Sequence, residues 1–343
     1  MLLYPGTRAE VVNDRPRTKE SKVAIITLEA ESFGGEYDKR SWGYVVVLWL
    51  MSIGAMITNL SQALFIKLFR KPKDPLMKIL WEMGRNPRHV SSFFGDRFSR
   101  FNHQAKVGAA SWRSLELFYN YYEKVEPELD NNIVERWLTR FWMKKLENRQ
   151  AVANRLKIVI NLLEDAFKKF INEPEIRLVS VASGSAQAVI EAMRRCPHLN
   201  VKAVLIDLDE SAIEASRQKA REAGLEDRFT FVKGPTSCLE EVCKNFPPHI
   251  VEMVGFLDYR PDKKAIQLIS RIRKCLLPGG YLLTCNIRKN REKILLDWVL
   301  LWPMYYRGQK RLADLLVKGG FPPERINIFY EPFRIHGVAV AQK

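Results

Sequence analysis

The chain has 343 residues, of which 47% are hydrophobic and eight are tryptophan, and this composition excludes a disordered protein. Its formal net charge is +16 at pH 7. Residues 1–66 carry seven basic and seven acidic side chains, residues 67–170 carry 21 and 12, and residues 171–343 carry 27 and 20. The basic excess suits an anionic lipid surface or an anionic substrate. Nucleic acid is not expected as a partner, because the sequence has no zinc-ligand spacing, RNA-binding signature or arginine-rich stripe.

The cysteines and histidines predict neither disulfides nor a metal site. The histidines are scattered without metal-ligand spacing. The five cysteines form no CxxC pair, which is typical of small buried side chains in a reducing compartment; they are Cys196, Cys238, Cys243, Cys275 and Cys285.

A segment without charged residues, from Ser41 to Ile66, predicts a transmembrane helix. About 20 residues suffice to cross the hydrocarbon core, and Trp42 and Tyr44 would lie at the interface. A buried helix of a soluble domain is the alternative, although such a long soluble helix normally shows a polar face. The preceding residues, 1–40, are predicted to be a polar, poorly structured tail.

The charges that flank this segment predict its orientation. Two basic residues precede it and four follow it: Lys39 and Arg40 before, and Lys67, Arg70, Lys71 and Lys73 after. The positive-inside rule therefore places the C-terminal part in the cytoplasm, and the reduced cysteines agree. We predict a single-pass membrane protein whose catalytic domain lies on the cytoplasmic side, close to anionic headgroups.

Residues 67–172 are predicted to form a basic linker and a helical cap region, with apolar residues at three- and four-residue spacing. The last helix should end at Asn172–Pro174, since proline disfavours helical geometry in the residue before it. The many aromatic side chains of this region could line a pocket for an apolar substrate. Helix–helix packing is the simpler interpretation for any single ring.

From residue 173 to residue 343, short apolar strands alternate with helices, which predicts an α/β fold with a parallel sheet. The strand IRLVSVA leads into a tight turn around Gly184 and then a helix, an arrangement that lets a ligand approach backbone N–H groups. The second strand ends in Asp207, at the offset where an acidic residue accepts hydrogen bonds from ribose hydroxyls. The third strand ends at residues 234–236, where a loop can border an adenine ring.

Two later strands bring polar side chains to the same edge of the sheet. The fourth strand delivers Asp258 and Tyr259, and the fifth ends at Asn286. Open α/β sheets bind their ligands at the carboxyl ends of the strands. The final segment, RINIFYEPFRIHGVAVAQK, predicts a β-hairpin joined near Glu331.

The order of VSVASGSA, VLIDLD, FVKG, GFLDY, LLPGGYLL and the terminal hairpin resembles class I S-adenosylmethionine (SAM)-dependent methyltransferases over residues 175–343. The resemblance implies a Rossmann-like sheet in a domain over residues 173–343, with SAM as the cofactor. The cofactor-binding residues that it implies are Ser180, Ala182, Ser183, Gly184, Asp207, Leu208, Gly234, Pro235 and Thr236.

A narrower set of residues is similar to bacterial 3-hydroxy fatty acid methyl ester synthases. The similar residues are GFLDY, Asn286, Asp297-Trp298, Tyr306-Arg307 and ENRQAVANRLKIV at 147–159. Asp258, Tyr259, Asn286 and Arg307 are therefore the candidate catalytic residues. Asp258 would help a hydroxyl acceptor to lose its proton, and the planar fork of Arg307 would bind a carboxylate or phosphate. A surface ion pair is the alternative for Arg307.

The sequence departs from the usual glycine motif, which has an acidic residue and three glycines. Here those four positions are Ser180, Ala182, Gly184 and Ala186. The missing acid removes a partner for the SAM ammonium group, and the two alanines narrow the turn.

These observations predict a membrane-anchored SAM-dependent methyltransferase that acts on an amphipathic acceptor, a lipid or fatty acyl acid. The first alternative is a small-molecule O- or N-methyltransferase that is merely tethered to the membrane. The second is a membrane adaptor that has lost SAM binding, whose basic surface binds lipid or protein.

Overall fold

A computed structural model describes residues 23–69, 75–86, 89, 96–129 and 132–343. The predicted basic residues Arg70, Lys71 and Lys73 lie outside the described residues. The chain divides into two units. Residues 23–35, Asn154–Arg288 and Tyr305–Lys343 form the first, and Glu36–Ala153 and Lys289–Met304 form the second.

The described strands are β1 (Ala24–Thr27), β2 (Ile176–Val181), β3 (Val201–Asp207), β4 (Phe229–Lys233), β5 (Ile250–Met253), β6 (Tyr281–Ile287), β7 (Ile326–Tyr330) and β8 (His336–Gln342). The described helices are α1 (Trp42–Phe69), α2 (Leu76–Arg85), α3 (Arg100–Val107), α4 (Trp112–Tyr119), α5 (Ile133–Thr139), α6 (Glu147–Lys169), α7 (Gln187–Arg195), α8 (Glu210–Glu222), α9 (Leu239–Asn245), α10 (Asp262–Cys275), α11 (Lys293–Trp298) and α12 (Gln309–Lys318). Two π-helical turns, Tyr121–Val125 and Arg140–Lys144, follow α4 and α5.

In the first unit the eight described strands form one sheet in the order β1-β7-β8-β6-β5-β2-β3-β4. Neighbouring strands are parallel, except that β8 runs antiparallel to both β6 and β7. The central strands are apolar and buried on both faces, because helices cover both sides of a parallel sheet. The predicted Rossmann-like sheet with its terminal hairpin is confirmed in this unit.

The predicted tail over residues 1–40 is wrong for its second part. Residues 24–27 form β1 at the edge of the sheet, parallel to β7, where Ile26 is the register partner of Phe329. Beyond the strand, Leu28 N–H donates to the carbonyl of Tyr330 at 2.9 Å. The apolar run AIIT was too short to distinguish from a loop without its partner, which lies almost a whole chain length away. Residues 1–22 lie outside the described residues.

In the second unit, α1 is long and apolar enough to cross a membrane by length and composition, with a mean hydropathy of 1.7 over its most apolar window. One of its faces is buried, and this face is made largely of small and polar side chains: Leu48, Ser52, Ala55, Asn59 and Ala63. It packs against α11 and α2, and the amide of Asn59 donates to the carbonyl of Trp298 at 2.6 Å. The predicted helix is therefore present, and one of its faces packs against other helices of this unit.

The opposite face of α1 is exposed and largely apolar from Trp42 to Phe69. Its exposed large side chains are Trp42, Val46, Val47, Trp49, Leu50, Ile57, Leu64, Phe65, Leu68 and Phe69. At 1.5 Å per residue the helix is about 42 Å long. A contiguous apolar surface of this size is unusual for a soluble monomer and is typical of a membrane- or partner-binding face.

The segment after β6, up to residue 306, is helical only near its start. Only Lys293–Trp298 is helical, and Leu301 adopts a left-handed φ of 50° that ends the regular structure. Residues 289–304 belong to the second unit, with α1 to α5. The boundaries of the two units therefore differ from the predicted boundaries at residues 67 and 173. The reason is that residues 289–304, which lie between strands β6 and β7 in the chain, pack with helices that come earlier in the chain.

Candidate functional site

The turn between β2 and α7 has left-handed backbone angles at three motif positions, only one of which is a glycine. Ala182, Gly184 and Ala186 all adopt left-handed φ angles, 55°, 54° and 51°. A residue with a Cβ avoids this region, at a cost of about 1–2 kcal/mol. The protein therefore holds both alanines in a conformation that they disfavour.

Asp207 holds this turn in place from the end of the neighbouring strand. Its carboxylate accepts hydrogen bonds from Gly184 N–H at 2.8 Å and from Asp209 N–H at 2.9 Å. Each oxygen has a further lone pair available to a ligand. Leu208, the next residue, is 70% exposed and presents an apolar surface at the same edge.

The loop after β4 lies beside Asp207. Gly234 N–H donates to the backbone carbonyl of Asp207 at 2.8 Å. A Cβ on Gly234 would lie 2.7 Å from Cys238 Sγ, which explains the glycine at this position. Pro235 is exposed, and Thr236 accepts a hydrogen bond from Arg271 through its carbonyl. The turn after β2, the residues that end β3 and the loop after β4 carry the predicted cofactor positions. They therefore lie together at the carboxyl edge of these three strands.

Ser180 departs from its predicted role because it is fully buried and its hydroxyl is already used. Its Oγ donates to Glu252 Oε2, and Glu252 is its register partner on β5. Burial raises the pKa of Glu252 to about 7, although hydrogen bonds from Ser180 and Val254 N–H and the charge of Arg155 lower it. Glu252 is not among the predicted site residues, although a glutamate in an otherwise apolar strand is a signal of a buried polar site.

Arg155, on α6, is a second residue of this edge that is not among the predicted site residues. It is 2% exposed, donates to His336 Nδ1 at 3.5 Å and lies 3.8 Å from Cys285 Sγ. Burial, and then the charge of Arg155, hold the pKa of His336 well below its usual value. Burial also raises the pKa of Cys285 to about 12, so this thiol stays protonated. The carboxyl ends of β5 and β6 therefore enclose a buried polar cluster.

Three of the four predicted catalytic residues form one hydrogen-bonded network, and all three are buried. Arg307 Nη1 donates to Asn286 Oδ1 at 2.6 Å, and Asn286 Nδ2 donates to the carbonyl of Tyr305 at 2.8 Å. Asp258 Oδ1 accepts from Ile287 N–H at 2.8 Å. Burial raises the pKa of Asp258, and the hydrogen bond from Ile287 and the charges of Arg155 and Arg307 lower it less. The fourth residue, Tyr259, is half-buried.

The structure corrects the predicted role of Arg307, and it is not a surface side chain either. Its guanidinium is 1% exposed and donates to Asp262 Oδ1 at 2.9 Å, to the carbonyl of Leu257 at 2.8 Å, and to Asn286 and the carbonyl of Arg260. Because these protein groups accept the hydrogen bonds of the guanidinium, Arg307 does not present its N–H groups to an acceptor. Arg307 instead joins the segment that enters α12 to the ends of β5 and β6.

A cavity of about 650 Å³ lies along α10, away from Glu252 and Ser180. Thr236 is at its border, and its charged lining is entirely basic: Arg260, Lys264, Arg271, Lys274 and Lys318. SAM carries a sulfonium and an ammonium against one carboxylate, so it has a net positive charge. This lining would repel it, and the cavity is not a suitable place for the cofactor.

A family model described as "Putative methyltransferase" matches residues 88–343, which is most of the chain and includes the whole sheet from β2 onward. The chain belongs to this methyltransferase family. From β2 onward the sheet order, with an antiparallel strand β8 between β6 and β7, agrees with the predicted class I methyltransferase fold, the class for which SAM is the predicted cofactor. The family decides between enzyme and adaptor in favour of the enzyme.

Solved structures are similar to the methyltransferase in fold. A possible exported protein from Bordetella parapertussis is 16% identical, with a TM-score of 0.55, and the match covers 89% of this chain and 97% of that one. Magnesium protoporphyrin IX methyltransferase from Synechocystis PCC 6803 with bound SAM is 13% identical, with a TM-score of 0.44 and coverages of 67% and 96%. Human N-acetylserotonin methyltransferase in complex with SAM is 17% identical, with a TM-score of 0.38 and coverages of 55% and 56%. No curated protein sequence matches the chain.

The residues of the turn fit this cofactor. Ser183 Oγ is buried and has no hydrogen-bond partner among the described residues, as expected of a group that awaits a polar ligand. Asp207 retains free lone pairs at the position for the ribose. No group of three or more His, Cys, Asp or Glu side chains in the described part of the methyltransferase could hold a metal ion.

Relief of the strained turn should stabilise the methyltransferase. We expect Ala186→Gly to raise the free energy of unfolding by about 0.5–1 kcal/mol, because glycine adopts φ near 51° without a Cβ clash. Denaturant unfolding measures the change. Ala188→Gly, two residues later within α7, is the matched control and should cost about 1 kcal/mol. Equal destabilisation by both changes would contradict the strained conformation of Ala186.

We expect removal of the Arg307 guanidinium to lower the stability of the protein, and not to act directly on acceptor binding. We expect Arg307→Ala to lower the free energy of unfolding by about 3–5 kcal/mol, because Asn286 and two carbonyls lose a buried charged donor. Arg311→Ala is the control: this arginine also pairs with Asp262 but is exposed, and it should cost less than about 1 kcal/mol. A stable Arg307→Ala protein with a raised KM for the acceptor alone would restore the acceptor-binding role.

Proposed function

We propose that this methyltransferase methylates the carboxylate of an amphipathic acyl acceptor at a membrane surface. The observation that carries the proposal is the long, exposed apolar face of α1. This helix packs in one unit with α11, the segment that directly follows β6 and its terminal polar residues. The part of the chain that follows the carboxyl end of β6 therefore packs against the helix that carries most of the exposed large apolar side chains among the described residues.

The buried catalytic network favours a carboxylate over a hydroxyl acceptor. A hydroxyl needs a base, and Asp258, the predicted base, is 2% exposed and already accepts a hydrogen bond from Ile287 N–H. A carboxylate is already ionised at neutral pH and needs none. The residues Asp258, Asn286 and Arg307 then act by fixing the strand ends that border the acceptor, and the protein contributes positioning and exclusion of water.

The residues that would hold the cofactor are those of the turn and the two loops. The cofactor supplies an activated methyl group on its sulfonium. Asp207 would accept hydrogen bonds from the ribose, Leu208 would contact the adenine ring, and backbone N–H groups of residues 182–186 would bind the amino-acid end.

The two faces of α1 favour attachment in the plane of the membrane surface. A helix that spans alone would place Asn59 in lipid without the carbonyl of Trp298, and an unsatisfied polar group is costly there. With the face of Asn59 packed on α11 and α2, the other face is free to enter the boundary between headgroups and acyl chains. The basic excess of the chain adds attraction to anionic headgroups.

A tethered small-molecule methyltransferase is the second candidate, and acceptor length separates the two. We expect kcat/KM for saturated fatty acids to rise with chain length by about fourfold per methylene, since each buried methylene contributes about 0.8 kcal/mol. Mass spectrometry of the methyl ester products measures this. Fatty alcohols of equal length are the control and should not be methylated. Equal turnover of short water-soluble acids would favour the small-molecule enzyme, and methylated alcohols would contradict the carboxylate acceptor.

Membrane attachment has its own test. The double variant Leu50→Glu/Ile57→Glu places charges on the exposed face of α1 and should abolish co-sedimentation with anionic vesicles. Val317→Glu, on α12, is the matched control and should bind as the wild type does. Carbonate should release the wild-type protein from membranes. Resistance to carbonate would instead support the spanning helix and would make protease protection of the cytoplasmic domain the next measurement.

A further inference from the structure

The carboxylate of Glu252 lies beside the motif position at which this chain lacks an acid. Ser180 stands at that position on β2, and the parallel register pairs it directly with Glu252 on β5. The two side chains are joined by a hydrogen bond from Ser180 Oγ to Glu252 Oε2. A carboxylate is therefore present at the same height of the sheet, on the neighbouring strand.

The side chain of Glu252 is directed toward the carboxyl edge, where the turn lies. Its other oxygen, Oε1, accepts a hydrogen bond from Val254 N–H at 2.9 Å, two residues further along the chain. Ser180 likewise lies two residues before Ala182, the first residue of the strained turn. At about 3.3 Å per residue, the turn begins about 7 Å beyond the pair, a gap that the glutamate side chain partly spans.

We propose that Glu252 supplies the carboxylate that binds the ammonium group of the cofactor, in place of the acid that β2 lacks. The inference rests on the cofactor site described above. It assigns to β5 a contact that the sequence pattern locates on β2, and it explains how the turn keeps a partner for that ammonium group although the motif position is a serine.

A bound cation would favour the ionised form of Glu252, against the effect of burial. Burial raises the pKa of this carboxyl to about 7, and Ser180, Val254 N–H and Arg155 lower it less than burial raises it. Asp258 and Cys285 face the same cluster around Arg155, and burial keeps both toward their neutral forms. A bound ammonium would add the positive charge that favours the ionised glutamate.

Binding measurements on the full-length protein test the inference. S-adenosylhomocysteine carries the amino-acid end, and methylthioadenosine lacks it but retains the adenosine. We expect Glu252→Gln to weaken S-adenosylhomocysteine at least about tenfold by calorimetry, with methylthioadenosine changed less than about twofold. Glu331→Gln is the matched control: it is an equally buried carboxyl, in the β7–β8 turn, with its pKa also raised to about 7 by burial. It should leave the ratio of the two affinities unchanged.

The wild-type protein supplies a second measurement that does not depend on the variant folding. As the pH falls from about 7 to about 5.5, Glu252 takes up a proton while the ligand ammonium stays charged, so affinity for S-adenosylhomocysteine should fall severalfold. Methylthioadenosine should show no such fall. A pH-independent affinity that Glu252→Gln also leaves unchanged would overturn the inference and leave the cofactor site intact. Failure of the wild type to bind either ligand would overturn the cofactor site, and the inference with it.

Discussion

The hydrogen bond from Gly184 N–H to the carboxylate of Asp207 ties the ends of β2 and β3 together. The turn that it holds contains two alanines in left-handed conformations, which a free chain would avoid. Because the strands on either side are buried and in fixed register, the sheet can impose this conformation. The position of every ligand-facing N–H in the turn depends on that constraint, and so does the relation of the turn to Glu252.

A second constraint lies at the ends of β5 and β6, where Arg307 and Asn286 bind one another and the backbone around them. Residues that look catalytic by their place at strand ends are used here to hold those ends together. Under the proposed function, such a site positions an acceptor and does not deprotonate it. That property suits a carboxylate, which arrives ionised.

The second unit reverses the usual distribution of side chains on a surface helix. The small and polar residues of α1, among them Ser52 and Asn59, pack inward, and its large apolar residues point outward. Such a helix lowers its free energy when lipid or another apolar surface covers the outer face. Because α1 packs on α11, this apolar surface belongs to the same unit as the segment that follows β6.

The sequence by itself determined the alternation of strands and helices, the terminal hairpin, the residues of the turn and the position of Asp207, because these depend on local periodicity and on spacing within one βαβ unit. Tertiary structure decided the rest. The strand at residues 24–27 exists only through its pairing with β7, and Glu252 faces Ser180 only through the register of β5 on β2. The inward orientation of Arg307 depends on acceptors contributed by three separate segments. Contacts between residues far apart in the chain leave no periodic pattern in the sequence. The sequence could therefore locate the end of a strand, but it could not predict which groups the side chain at that end binds.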